Sequence, residues 1–445
     1  MSDKISIIHK SLKIRLYPSE DQKILLNKTF GCCRLLYNER LKEHNDWYTI
    51  NKDLPKDQRS KFKGKLPKQL REEKYEFLSE VIAEALGQSQ RNCEQAFSNF
   101  FKSASGKRKG KQVGFPKFKS KKQHKDSFSI YMLSKDLLDW EHRLITIPKL
   151  KQVKFRHAED KKGKWIKWFS EATPKSITLS KNACGEYWCS ILFEKNQDIL
   201  QTISIDRATG LDFSPNYLYI NDLNEVAPNF RKAKQENIKK LTKLQRNLMR
   251  KQKDSKNREK ARIKLAKFEN RIANIRRDYR EKETLRLVRE NDVIGIEDLN
   301  LQGMMKFSHN AKNYVDTSWC TFVTRLEQKA KLNNCLVIKS DRFYPSSKTC
   351  NHCGYVNKKL ALKDRVWICP ECGTEIIRDQ NAALNLKENA LKILIDDMKS
   401  ILLLEQEEVM SMEGMEVELC NSEIYGVLYE VENRGSDAPK RSLLL

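Results

Sequence analysis

The sequence predicts an α/β multidomain protein: a small β-barrel interrupted by a helical insert, then a strand-and-helix region with a long helical pair and an inserted metal ribbon. Three observations carry that expectation. One strand-like segment near the amino terminus is separated from five more by a long helical pattern. Two Cys-x2-Cys pairs stand fifteen residues apart. Two short apolar strands upstream of those pairs end in acids and bracket a basic helical stretch.

At 445 residues the chain has room for two to four domains and a core that does not depend on disulfides. Its 85 Lys and Arg against 59 Asp and Glu leave a net charge of +26, an imbalance that suits a polyanion, with nucleic acid first. The apolar runs are short and carry charges, as in "LKILIDDMKSILLL", whereas a membrane span needs ~20 residues. No apolar h-region follows the first charges, so a secretory signal is not expected and the chain reads as intracellular. Cys32, Cys33, Cys93, Cys184, Cys189, Cys320, Cys335 and Cys420 lack metal-ligand spacing and read as small buried hydrophobes.

In chain order, "KSLKIRLY" at residues 10–17 alternates as a strand, and Pro18-Ser19 opens a helical stretch to about residue 101. "KSASGKRKGKQVGFPKFKSKKQHK" follows, rich in Lys and Gly and without an acid. Phe115 and Phe118 among its lysines suit a nucleic-acid groove, lysines meeting phosphates and rings meeting bases. The segments "SFSIYML", "RLITIPK", "KQVKFRH", "SITLS" and "YWCSILFE" read as strands between residues 126 and 200. Residues 228–290 read as a basic helical pair broken near "KDSKN", its second arm carrying a seam of Leu265, Phe268, Ile272, Ile275 and Tyr279.

Cys350, Cys353, Cys369 and Cys372 have zinc-ribbon spacing, with Gly354 and Gly373 providing the freedom that each tight turn needs. Four thiolates close the coordination sphere, so one structural Zn²⁺ is expected and the chemistry must lie elsewhere. Three acids qualify. Glu297 ends the strand of "NDVIGIEDLN", Asp212 stands in "TGLDFSPNYLYI" before a return strand, and Asp379 starts a helix whose Ala382 and Ala383 allow close packing on a sheet. Each alone is an ordinary strand-end or helix-cap acid, but converged they form an all-oxygen site for Mg²⁺.

Taken in order, "IRLYPSEDQ", "FGCCRLLYNERL", "GFPKFKSKK", "TGLDFS", "IGIEDLNLQGM", "YPSSKTCNHCG" and "WICPECGTEIIRDQNAALN" resemble the TnpB family of insertion-sequence-encoded RNA-guided nucleases, relatives of type V CRISPR effectors. The resemblance implies a barrel (wedge) with its first strand in 1–18, a helical recognition insert over 19–111 and the rest of the barrel over 112–200. It implies an RNase H-like RuvC nuclease domain over 201–343 with the helical hairpin 228–290, a zinc ribbon over 344–378 and the last nuclease motif over 379–396. Residues 397–445 are left as a peripheral or disordered tail.

Carried over by position, Asp212, Glu297 and Asp379 match the first, second and third RuvC acids, which hold two catalytic Mg²⁺. Lys117, Lys119, Lys121 and Lys122, with Phe115 and Phe118, become candidates for RNA or heteroduplex contact, and Gln88 and Arg91 for the motif flanking the target. The implied partners are a guide RNA from the element's end and a target DNA duplex, in the cytoplasm of a prokaryote and without a membrane. Base pairing then carries sequence specificity. Two departures stand out: Ile377 replaces the first acid of the family's D-R-D-x-N-A-A, and Asp206 competes with Asp212. A nuclease-inactive RNA-guided repressor and a compact type V CRISPR effector remain alternatives. The first is expected to have lost a triad acid, and the second to neighbour a repeat array.

Overall fold

The structure is a computed structural model. It describes residues 5–412, except 56–57, 109, 122–125, 132–136, 158–163, 199–201, 204, 215, 229–230, 302, 305–317 and 362, together with 443–444. The chain divides into two compact units, Met1–Ile199 with Gln252–Lys267, and Leu200–Lys251 with Phe268–Leu445.

In the first unit β1 (Ile5–Tyr17) leads directly into α1 (Glu20–Asn51). Ser19 makes the entry sharp: its hydroxyl accepts from the Gln22 N–H while the Gln22 side chain accepts from the Ser19 N–H, a reciprocal cap. Helices α2 (Pro67–Glu73) and α3 (Ala83–Ala104) follow, so the sequence's helical stretch is three helices. The strands are β2 (Ser127–Ile130), β3 (Leu138–Asp139), β4 (Leu144–Ile147), β5 (Lys151–Arg156), β6 (Thr173–Lys181) and β7 (Tyr187–Asp198). They form an antiparallel sheet in the order β2-β6-β7-β1-β5-β4-β3, with the amino-terminal strand in the middle. Ile14, Phe128, Ile145, Val153, Ile177 and Ile191 cover one face and pack on Leu26, Phe30 and Leu36 of α1.

Two details differ from the expectation. Strands β2 and β3 are edges that do not pair with each other among the described residues, so the described sheet is open where a barrel was expected. A helix, α4 (Lys164–Glu171), interrupts the strand-rich region, its Phe169 ring 4.9 Å from Phe193. "KWIKWF" spaces its aromatics for a helical face, a period that the surrounding strands mask.

The second unit is built on a mixed sheet. After β8 (Thr202–Ile203) come β9 (Ala208–Phe213), β10 (Tyr217–Asn221) and β11 (Val226–Pro228), an antiparallel meander. Helices α5 (Arg231–Met249) and α6 (Lys256–Glu290) lead to β12 (Val293–Glu297), which lies parallel to β9. Helix α7 (Trp319–Ala330) leads to β13 (Leu336–Ser340), parallel to β12. The order is β11-β10-β9-β12-β13. A hairpin of β14 (Val366–Ile368) and β15 (Glu375–Ile377) runs without a loop into α8 (Arg378–Met412), and β16 (Leu443–Leu444) pairs with β8.

Alternation along β9 and β12 decides what each face meets. Leu211, Phe213, Ile294 and Ile296 face Leu287 and Val288 of α6 and Trp319, Phe322 and Leu326 of α7. The alternate residues, Gly210 and Gly295, face α8. A Cβ on Gly210 would stand 1.8 Å from the Ala383 carbonyl oxygen, and one on Gly295 2.2 Å from that of Leu386, so both glycines are required for the helix to lie on the sheet. In α6 the expected seam holds at Phe268 and Ile272, which are buried, and fails at Ile275, which is exposed. Helix α8 continues through Met412, past residue 396 where the last motif was expected to end; residues 413–442 lie outside the described residues.

Candidate active site and metal centre

The acids are assembled by strand register. Leu211 of β9 pairs with Ile296 of β12, so Asp212 and Glu297 are the next residues of two neighbouring parallel strands, about 4.8 Å apart in the sheet. Both project to the α8 side, two residues beyond Gly210 and Gly295. Asp379 stands in the first turn of α8, one turn before Ala383, the residue that covers Gly210. Burial holds the Asp212 carboxyl well above the ordinary carboxylate range, and the charges of Glu297 and Asp379 push it further up. Burial also raises Glu297, opposed by a hydrogen bond from the Ser346 hydroxyl and by the Arg378 charge. Arg365 Nη1 bonds both Asp379 oxygens, at 2.9 and 3.1 Å.

The neighbouring acids separate cleanly. Asp206 precedes β9 at its far end, where its N–H donates to Asp292 at 3.1 Å. Asp298 follows β12 and pairs with Arg342 Nη2 at 2.7 Å. Ligands of parallel sheets gather at the strands' carboxyl ends, where Asp212 and Glu297 stand.

Thiols converge just ahead of Asp379. The Sγ atoms of Cys350 and Cys372 are 3.7 Å apart and those of Cys353 and Cys369 3.6 Å, close to the ~3.8 Å edge of a tetrahedron with 2.3 Å zinc–sulfur bonds. All four lie within 4.8 Å of one another; among the described residues no other group of three or more His, Cys, Asp or Glu converges so tightly. The two turns are built alike. Gly354 N–H donates to the Cys350 carbonyl (2.8 Å) and Gly373 N–H to that of Cys369 (2.9 Å), and both glycines have positive φ, +79° and +72°. This cluster can hold zinc. Of the other cysteines, Cys32, Cys33, Cys93, Cys184, Cys189 and Cys335 are buried, but Cys320 is exposed, contrary to the expectation, and Cys420 lies outside the described residues.

The expected nucleic-acid contacts divide. Phe118, Lys117 and Lys121 are exposed, and Phe115, half exposed, packs edge-on to Phe97 and Phe100 at 5.4 Å each. Lys119 turns inward, its ammonium 3.6 Å from the centre of the Tyr37 ring while Asn38 brackets its backbone; burial lowers its pKa. Lys122 lies outside the described residues. Gln88 and Arg91 bond to each other on α3 at 2.8 Å. Along α5 and just past its end, Lys239, Lys243, Arg246, Arg250 and Lys251 line a groove of about 870 Å³. The sequence marked only the helical pair as basic; its groove depends on which residues share a face. Ser346 had no signal beyond lying in the quoted "YPSSKTCNHCG", and Arg365, two residues ahead of "WICPECGTEIIRDQNAALN", had none.

Fold and site together define an α/β protein with an acidic sheet edge beside a four-cysteine knuckle able to hold a metal ion. Family profiles match the same regions: "Cas12f1-like, TNB domain" at 319–386, "Probable transposase" at 194–308 and "Helix-turn-helix domain" at 6–53. The last region is, in this structure, one strand and one long helix. Over 381 residues the chain is 32% identical to a Streptomyces pristinaespiralis protein named "Putative RNA-guided DNA endonuclease", covering 85% of this chain and 89% of the relative. It is 28% identical to "Putative RNA-guided DNA endonuclease InsQ" of Escherichia coli (strain K12), covering 85% and 91%. A solved Cas12f1-sgRNA-target DNA complex superposes with a TM-score of 0.45 at 12% identity, over 86% of this chain and 99% of that one, too loosely to carry an argument. The chain belongs to the TnpB family. Among the described residues no helix is long and apolar enough to cross a membrane.

Proposed function

We propose that the chain is an RNA-guided DNA endonuclease of a transposable element, cutting double-stranded DNA beside a short flanking motif by Mg²⁺-dependent phosphodiester hydrolysis. The relatives' names support the class of activity. The observation that carries the chemistry is the β9–β12 register, which sets Asp212 beside Glu297 on the face that α8 covers, with Asp379 in that helix's first turn. We read the sheet, a meander followed by two parallel strands, as RNase H-like.

The donor set fits Mg²⁺: it is all oxygen, and burial together with the charges of Glu297 and Asp379 raises the Asp212 carboxyl, a cost that a bound cation would relieve. Asp212 and Glu297 would hold the metal from the sheet and Asp379 from the helix. When bound, two ions supply the positive charge that stabilises the attacking and leaving oxygens of a phosphodiester. Arg365 neutralises Asp379 in this structure and would compete with a cation for it. The net charge of +26 suits a scaffold RNA and a DNA duplex, so affinity should fall steeply with salt. Lys117, Lys121 and Phe118, with the basic groove of α5, are the surfaces we assign to it.

The test is to purify the chain expressed with its native flanking DNA and sequence the RNA that co-purifies. The complex is then incubated with Mg²⁺ and a target library with randomised flanks. Cleavage beside one enriched flank is expected; flank-specific binding without cleavage would favour a repressor, and absence of any bound RNA would sink the reading.

A further inference from the structure

The segment "YPSSKT", just ahead of the first cysteine pair, has no part in the chemistry above, nor do three asparagines of α8. Asn381, Asn385 and Asn389 recur every four residues and share one helix face, flanked by the fully buried Ala382, Ala383, Leu386 and Ala390. Asn381 and Asn385 are buried too, where an amide is costly unless its atoms are bonded. The Asn385 side chain donates to the carbonyls of Ser346 and Thr349, at 2.7 Å each, and its oxygen accepts from Asn351 Nδ2 at 3.2 Å. Asn381 donates to Thr349 O at 2.6 Å and accepts from the Asn351 N–H at 3.0 Å. Asn389 donates to the hydroxyl of Ser340, the β13 residue paired with Glu297.

Asn351 lies inside the first cysteine turn, between Cys350 and Cys353. Ser346, 3% exposed, spends its single hydroxyl hydrogen on Glu297 Oε1. A continuous set of hydrogen bonds thus runs from the thiolate knuckle through the helix that carries Asp379 to the carboxylate of Glu297.

We propose that Ser346 is a positioning residue that fixes the Glu297 carboxylate for divalent-cation binding, and that Asn381 and Asn385 clamp its loop and the first cysteine turn to α8. The knuckle then sets the acids' geometry while holding no reacting atom. The proposal rests on the nuclease reading for the cation's role. Groups that orient a ligand from behind commonly change metal affinity by about 10–100-fold.

The test uses the full chain with its zinc and co-purified RNA, and Mn²⁺ as the probe, with binding followed by electron paramagnetic resonance. Half-saturating Mg²⁺ for cleavage is measured in parallel. Ser346→Ala is expected to weaken Mn²⁺ binding and raise the Mg²⁺ midpoint by about tenfold or more, with zinc content and Tm unchanged, and Ser346→Thr to restore both. Wild-type Mn²⁺ affinity in Ser346→Ala overturns the proposal, as does a loss that Ser346→Thr fails to rescue. Should the alanine variant unfold, Ser346→Cys takes its place: the same weakening is expected, and wild-type affinity overturns the proposal. If the wild-type chain shows no Mn²⁺ site sensitive to Asp212→Ala, the nuclease reading itself fails. If that site is present and Ser346→Ala leaves it intact, only this inference fails.

Discussion

Two side-chain clusters, four thiols and three carboxyls, lie in the second unit, and they are assembled by opposite means. The thiolates come from two local turns of the same design, with sulfurs 3.6–3.7 Å apart in each close pair and buried Cys350 and Cys369 packed beside Trp367 and Ile376. The carboxylates come from β9, β12 and α8, spread from residue 212 to residue 379, and they repel one another. A cluster made by local turns is complete once a short segment folds. One made by tertiary register exists only when a whole sheet and a helix have packed, and its buried acids push one another's charge up in energy.

The largest expected effect is at the acids. Asp212→Ala, Glu297→Ala or Asp379→Ala should each lower the cleavage rate by about 10³-fold or more while zinc content and RNA affinity stay near wild type. Collapse of RNA binding in filter assays would make these acids structural instead.

Breaking the other cluster should act indirectly. Cys369→Ser is expected to release the zinc, measured by elemental analysis, unfold the knuckle and reduce cleavage by less than an acid substitution does. A folded and fully active variant would refute the zinc assignment. Gly210→Ala tests whether register alone makes the acid site: its methyl would meet the Ala383 carbonyl, so α8 must shift, at a cost of about 3 kcal/mol in denaturant unfolding. Cleavage should drop with zinc retained; unchanged stability would mean that α8 does not lie on β9.

The smallest effect is one of pH. A carboxyl whose folded pKa is raised binds more protons folded than unfolded, so without divalent metal Asp212 should make stability fall as pH rises above the unfolded carboxylate pKa. Asp212→Asn should flatten that slope, and Mg²⁺ should stabilise the wild type more at higher pH. Parallel profiles for the two proteins in melting experiments would contradict the electrostatic account of the site.

The sequence alone determined the thiolate knuckle, because Cys-x2-Cys and the following glycine are local geometry, and it determined the strands and helix starts that end in Asp212, Glu297 and Asp379. It also marked Ser19 as the start of α1, through a cap made within four residues. The resemblance already favoured Asp212 over Asp206, but only the tertiary structure showed why Asp212 stands beside Glu297: both acids lie near β9, and the parallel register with β12 chooses between its ends. The tertiary structure alone turned Lys119 onto Tyr37 while leaving Lys117 exposed, set β2 and β3 at opposite edges of the described sheet, and brought Arg365 and Ser346 to the acids. The physical reason is range: turns and caps are settled by bonds between near neighbours, whereas a site that repels itself is held by packing between segments that the sequence lists far apart.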